Sequence, residues 1–220
     1  MCGRFTLSER LEQLQKRYEI HEITYDHQPS YNIAPTDPIT TVQINSTGSK
    51  FFQQLSWGIP LKIEALNNLV INVRDDSISK NNFFSKMFNN NRCLIPASGF
   101  YEWQKAGSSK VPYYIKSNQK IISFAGLYYK IKDIFYTAII TTNANEVVSK
   151  LHDRMPVMIP QTQEDFWLTS TAVDDLQSLL TPYPADLTSY YKVSTKVNSV
   201  KNDSPDLIKP KTTSSLTDFF

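Results

Sequence analysis

Ile39-Thr40-Thr41-Val42-Gln43-Ile44 and Lys50-Phe51-Phe52-Gln53-Gln54-Leu55, joined through Ser46-Thr47-Gly48-Ser49, decide the fold class. Two runs rich in β-branched and aromatic residues flank a polar, glycine-bearing turn, which is the pattern of a β-hairpin. Downstream, similar short runs predict strands at 69–73, 93–95, 100–103, 112–116, 121–127 and 135–141, with 190–194 extended. Helical patterns occur at 143–151, 164–168 and 174–180. Upstream, Thr6-Leu7-Ser8-Glu9 has the form of a capping box, a hydroxyl followed three residues later by a carboxylate. Leu7, Leu11, Leu14 and Tyr18 continue at helical spacing, which predicts a helix over 7–18. The polar stretch 21–37, with Pro29 and Pro35, reads as loop. Many strands with few intervening helices predict an α+β fold: an antiparallel curled sheet or barrel with peripheral helices. No parallel βαβ succession is visible.

The 220 residues suit one domain, and 40% hydrophobic with 12% aromatic content supplies a core. No apolar run reaches the ~18–20 residues of a membrane span, and the N-terminus lacks a signal peptide's apolar stretch. Two cysteines make no disulfide framework, so a reducing, intracellular setting is expected. Three scattered histidines give no zinc spacing, and no metal or organic cofactor is implied. A net charge of +2 is too mild to argue nucleic-acid binding by itself. Residues 1–208 read as one domain. Residues 209–220 read as a flexible tail, polar and Pro/Ser/Thr-rich up to Leu216, Phe219 and Phe220.

Cys2 carries the first chemical signal. Removal of Met1 would leave an N-terminal cysteine, with an amine and a thiol on adjacent carbons. Their ordinary pKa values, ~7.7–8.0 and ~8.5, leave useful fractions of amine and thiolate near neutrality. Such a pair condenses with an aldehyde to an imine, and the tethered thiol then closes a thiazolidine ring.

Seven words occur in order along the chain: Cys2-Gly3-Arg4-Phe5, Tyr31-Asn32-Ile33-Ala34-Pro35, Ser56-Trp57-Gly58-Ile59-Pro60, Ile71-Asn72-Val73-Arg74, Arg92-Cys93-Leu94-Ile95-Pro96-Ala97-Ser98-Gly99-Phe100-Tyr101-Glu102-Trp103, Phe124-Ala125-Gly126-Leu127 and Leu151-His152-Asp153-Arg154-Met155-Pro156-Val157. Together they resemble the SRAP family, the SOS-response-associated peptidases regarded as abasic-site shields. The resemblance implies an enzyme that binds single-stranded DNA and captures the ring-opened aldehyde of an abasic site as a thiazolidine crosslink. It implies catalytic roles for Cys2 as nucleophile, Asn72 as orienting amide, Glu102 as acid/base and His152 as a second proton shuttle. It also implies that Arg4, Arg74 and Arg154 hold phosphates, and that Trp57 or Trp103 stacks on a base or wedges the strand.

For each of these residues a plain structural role stays open: a core position for the tryptophans, a pair with Asp75 or Asp76 for Arg74. Val73, Asp75-Asp76-Ser77 and Ser98 depart from the family's usual pattern, which bears on the phosphate role of Arg74. Cys93 reads as an inert buried thiol, and His21 and His27 carry no signal. Three other readings compete: a cysteine peptidase limited to self-processing, a non-covalent DNA binder that recruits partners through its tail, and a lyase in which the imine undergoes β-elimination and nicks the strand. Thr213 to Phe220 resembles a sliding-clamp-binding peptide, with Leu216, Phe219 and Phe220 on one face of a helical turn, although Thr213 replaces the usual glutamine. A monomer is expected.

Overall fold

A computed structural model describes residues 2–22, 25–61 and 68–211. In chain order its elements are β1 (Phe5–Leu7), α1 (Leu11–Tyr18), β2 (Ser30–Ile33), β3 (Pro38–Ile44), β4 (Lys50–Trp57), β5 (Ile59–Pro60), β6 (Leu69–Val70), β7 (Asn72–Arg74), α2 (Asp75–Ile78), α3 (Asn82–Asn90), β8 (Arg92–Ala97), β9 (Gly99–Ala106), β10 (Ser109–Ser117), β11 (Ile122–Ile131), β12 (Ile134–Asn143), β13 (Arg154–Pro156), β14 (Met158–Ile159), α4 (Glu164–Thr169), α5 (Val173–Ser178) and β15 (Thr188–Lys192). Among the described residues no helix is long and apolar enough to cross a membrane.

The hairpin at 39–55 forms as the sequence predicts, with Ile39 opposite Leu55 and Val42 opposite Phe52. It is part of a closed ring in the order β12-β4-β3-β8-β11, returning to β12. Neighbours run antiparallel except β12 and β4, which pair in parallel at Tyr136–Ser56 and Thr137–Trp57. The parity of the ring requires this. An odd number of strands cannot alternate direction all the way round, so one pair must be parallel. The α+β curled sheet is therefore as expected, with this parallel seam added. A second parallel pairing joins β7 to β12, with Asn72 opposite Ile139.

Aromatic side chains fill the ring. Phe5 meets Trp57 edge to face at 5.1 Å and Phe124 at 5.9 Å, and Phe124 meets Phe100 at 6.1 Å. Such contacts add roughly 0.5–1.5 kcal/mol each beyond the area they bury. The wall is tight at Gly126, where a Cβ would sit 2.7 Å from Cys93 Sγ and 2.8 Å from Ile95 Cδ1. The second sheet runs β15-β10-β9-β1-β2. Phe5 of β1 belongs to this sheet yet packs into the ring, so β1 sews the two sheets together.

Several sequence expectations are corrected. The first helix begins at Leu11, not at residue 7. Thr6 is a strand residue whose hydroxyl meets Tyr114 Oη at 2.8 Å, and Glu9 pairs with Lys120 Nζ at 2.8 Å, so neither caps a helix. The start is fixed instead at Arg10, whose amide donates to Gln13 Oε1 at 3.0 Å. The stretch 21–37 contains β2, because its backbone completes the edge beside β1. Residues 143–151 hold only a short 3₁₀ turn at Val148–Lys150. Helices α2 and α3 lie where none was predicted. Asn81 marks α3, its Oδ1 accepting from the amides of Phe83 and Phe84 at 2.9 and 3.3 Å.

Candidate active site

The seam between the two sheets gathers residues from four distant parts of the sequence. Backbone bonds anchor the N-terminal segment there: Tyr101 N–H donates to the Arg4 carbonyl at 2.9 Å, and Ser98 N–H to the Thr6 carbonyl at 2.7 Å. This holds Cys2 between β7 and β9. Asn72, the first residue of β7, donates from Nδ2 to the Cys2 carbonyl at 2.8 Å. Its Oδ1 is buried with no hydrogen-bond partner. A lone acceptor out of water costs about 1–3 kcal/mol.

Cys2 is 0% exposed, and its Sγ faces the Arg4 carbonyl at 3.8 Å. Burial, reinforced by the negative field of Glu102, pushes the thiol far above its ordinary pKa. It is a protonated thiol at neutral pH. Glu102, on β9, is also buried. Burial raises its pKa, opposed by the charge of the amino terminus and of His152.

A cavity of about 540 Å³ opens over this cluster, lined by Gly3, Arg4, Glu102, Trp103, Lys105, Lys110, His152 and Asn198. His152 sits on the loop between the 3₁₀ turn and β13, half-buried. Its Nδ1 is 3.0 Å from the Arg154 amide and 2.8 Å from Asp153 Oδ1. The two contacts belong to different protonation states. The neutral ring accepts the Arg154 N–H at Nδ1, which leaves the proton on Nε2, and the protonated ring donates Nδ1–H to Asp153. Gln104 braces this loop against β9 by donating from Nε2 to the Lys150 carbonyl at 3.1 Å.

Cys2, Asn72, Glu102 and His152, the four residues expected to do chemistry, therefore converge. The five expected to bind DNA separate into three sets. Arg4 and Trp103 line the cavity. Arg4 donates from Nη1 to Asn32 Oδ1 and to the Val197 carbonyl at 2.9 Å, and its guanidinium lies 5.9 Å over the Trp103 ring. Trp103 Nε1–H donates to Asn198 Oδ1 at 2.8 Å. Arg74 is exposed and holds Asp76 through two bonds of 3.0 and 2.8 Å.

Trp57 and Arg154 lie in the interior. Trp57 is fully buried, its Nε1–H donating to the Ile71 carbonyl at 2.9 Å. Arg154 is 3% exposed. Its guanidinium donates to Asp75 Oδ1 at 2.6 Å, to Asn143 Oδ1 at 2.9 Å and to the Thr141 carbonyl. Both hold the wall behind the cavity rather than its surface. Cys93 is buried and its thiol is pushed up to about 12, in keeping with an inert role. His27, which carried no signal, is structural, its Nε2 2.9 Å from the Glu9 carbonyl. Leu216, Phe219 and Phe220 lie outside the described residues.

Lys105, Lys110 and Asn198 were missed. Lys105-Ala106-Gly107-Ser108-Ser109-Lys110 held the signal for the two lysines, since a Gly-Ser turn between strands sets them face to face.

Comparison with known proteins follows the same lines. The family model described as SOS response associated peptidase (SRAP) matches residues 1–200. The abasic site processing protein YoqW of Bacillus subtilis is 40% identical, over 95% of this chain and 99% of that protein. The abasic site processing protein HMCES of Gallus gallus is 29% identical, over 84% of this chain and 67% of its own length. Among solved structures, a protein from Bacteroides thetaiotaomicron superposes with a TM-score of 0.80 at 24% identity, covering 95% of this chain and 99% of the other. A phage-related protein from Bordetella bronchiseptica gives 0.73 at 25% identity, covering 88% and 95%.

Proposed function

The chain belongs to the SRAP family, and from that premise we propose that it processes abasic sites in single-stranded DNA by covalent capture through Cys2. The observation that carries this reading is the bond from Asn72 Nδ2 to the Cys2 carbonyl, which holds the N-terminal residue against Glu102 beneath the cavity.

The chemistry starts with hydrolytic removal of Met1, which converts the Cys2 amide nitrogen into a primary amine. The abasic sugar opens to an aldehyde, with its ring oxygen becoming a hydroxyl. The Cys2 amine adds to the aldehyde carbon and forms a carbinolamine. Glu102, whose pKa burial raises, gives a proton to the departing hydroxyl, and water leaves the iminium. The Cys2 thiol then adds to the same carbon, and its proton passes to the Glu102 carboxylate left by the preceding step, which restores the acid. The net change is amine, thiol and aldehyde to thiazolidine plus one water.

The buried thiol favours this order. A group held protonated at neutral pH is a weak first nucleophile, but once the imine is tethered beside it, ring closure is intramolecular. The same burial disfavours a peptidase that attacks as a thiolate. His152, which lines the cavity close enough for its charge to act on Glu102, moves the proton released as the sugar ring opens. Arg4 and Trp103 border the strand. All these groups come from one chain, so the reading needs only a monomer. The tail bearing Leu216, Phe219 and Phe220 is a separate proposal, binding to a replication sliding clamp. A synthetic peptide of residues 209–220 tests it by competing with a known clamp ligand.

The test of capture mixes the protein, its N-terminus checked by mass spectrometry, with single-stranded DNA bearing one abasic site. A heat-stable band on a denaturing gel that vanishes with Cys2→Ala is expected. A band that survives Cys2→Ala, or none with a free Cys2 and bound DNA, overturns the reading. Cys2→Ser sharpens it: its adduct should be reducible by borohydride but not heat-stable.

A further inference from the structure

The β9–β10 hairpin places Lys105 directly opposite Lys110. Its two-residue turn, Gly107-Ser108, has Gly107 at φ 62 in the first position, a conformation that glycine adopts without strain. A turn this short leaves no slack in register, so the two ammonium groups cannot avoid sharing one face. Like charges directly opposite in a hairpin are destabilising. Among the described residues neither lysine has a carboxylate within ion-pair distance. Both side chains are exposed, and both line the cavity together with Arg4, His152 and the single carboxylate Glu102. Trp103, two residues before Lys105 on the same strand face, stands about 7 Å away along the strand and borders the same cavity. The hairpin thus gives the cavity a cationic lip at the turn end of β9, continuous with the ring of Trp103.

We propose that Lys105 and Lys110 form a phosphodiester subsite that carries one arm of the DNA strand away from the cavity. The proposal deepens the function given above and rests on single-stranded DNA as the ligand. The hairpin fixes two point charges at a set separation, which fits successive backbone phosphates. It reads no base, so the subsite is indifferent to sequence. It also fixes direction, because the lip lies at the turn end of β9 and only one of the two arms flanking a lesion can cross it.

The test measures the affinity of undamaged single-stranded DNA against salt for wild type and for Lys105→Gln/Lys110→Gln. Undamaged DNA makes the measurement independent of crosslinking. The salt slope should fall by about 1.4 in the double variant, since each phosphate neutralised on a single strand contributes roughly 0.7. The melting temperature should be unchanged or higher, because a repulsion is relieved. Abasic DNA trimmed to only the 5′ arm or only the 3′ arm should lose affinity from the double substitution in one form and not in the other.

An unchanged slope, or equal losses for both trimmed forms, overturns the proposal. A lowered melting temperature with the lowered slope also overturns it, since the lysines would then be structural. If wild type binds DNA with the lysine-dependent slope yet forms no heat-stable adduct, the capture reading fails while this subsite stands.

Discussion

The barrel ring and the seam beside it bury polar groups under different rules. In the ring, Thr137 donates to the Leu127 carbonyl at 2.9 Å and Ser123 to Glu164 at 2.5 Å, while Thr141 Oγ1 on β12 is left without a partner. Arg92 donates to four backbone carbonyls, those of Phe88, Asn89, Trp167 and Ser170. Along the seam, Arg4 Nε and Asn72 Oδ1 are buried without hydrogen-bond partners. Such atoms are rare in folded proteins because each one costs stability. Their gathering beside Cys2 teaches that the ring is arranged for stability and the seam for a ligand that would complete it.

The contrast can be broken by substitution. The largest expected effect is in the ring. Phe124→Ala should cost about 3–5 kcal/mol of stability, read by urea unfolding, because it empties the centre of an aromatic cluster. A loss under about 1 kcal/mol would mean the ring is not the stability core. Next is the wall behind the cavity. Asp75→Asn leaves Arg154 buried without its counter-charge and should cost roughly 3 kcal/mol. Arg74→Ala, removing an exposed pair one residue away, should change stability by no more than about 0.5 kcal/mol. Equal effects from the two would erase the distinction between buried and surface pairs.

In the seam itself, Asn72→Ala removes one hydrogen bond and one orphaned acceptor together, so stability should shift by less than about 1 kcal/mol. Crosslinking should slow about 100-fold, since the N-terminal residue loses its orientation. A stability loss as large as that of Phe124→Ala would make Asn72 a core residue. The smallest effect is pH-dependent. Glu102 has a raised folded-state pKa, so between its unfolded and folded values the native state holds the extra proton. Stability therefore falls as pH rises through that window. Glu102→Gln should raise the melting temperature at neutral pH and leave it unchanged at a pH below the ordinary carboxylate range. A variant less stable than wild type at neutral pH would overturn the assignment of a burial penalty.

The sequence made the ring legible because its strands are long and their β-branched pattern is uninterrupted, as at Ile39 to Ile44. Cys2 was legible from its position, but Asn72, Glu102 and His152 were legible only through the family's words, since nothing in spacing alone brings Cys2 to Asn72. Trp57 and Arg154 show the limit of that route. A word match names a residue but not which way its side chain points, and here both point inward. The helix start failed for another reason: the hydroxyl of Thr6 had a tertiary partner, Tyr114, that no local pattern announces. The parallel seam was hidden because it depends on the strand count of a closed ring, not on any one segment.

The sewing of β1 between β2 and β9 has a consequence for biosynthesis. On the proposed reading Met1 must leave before Cys2 works, and Cys2 is buried once β1 is docked. Its covering strand β9 begins at Gly99 and is translated long after Cys2. At ~5–20 residues per second, the start of the chain stays open for roughly 5–20 s before β9 emerges. On that reading the nascent chain offers a window in which Met1 can be removed before β9 pairs with β1.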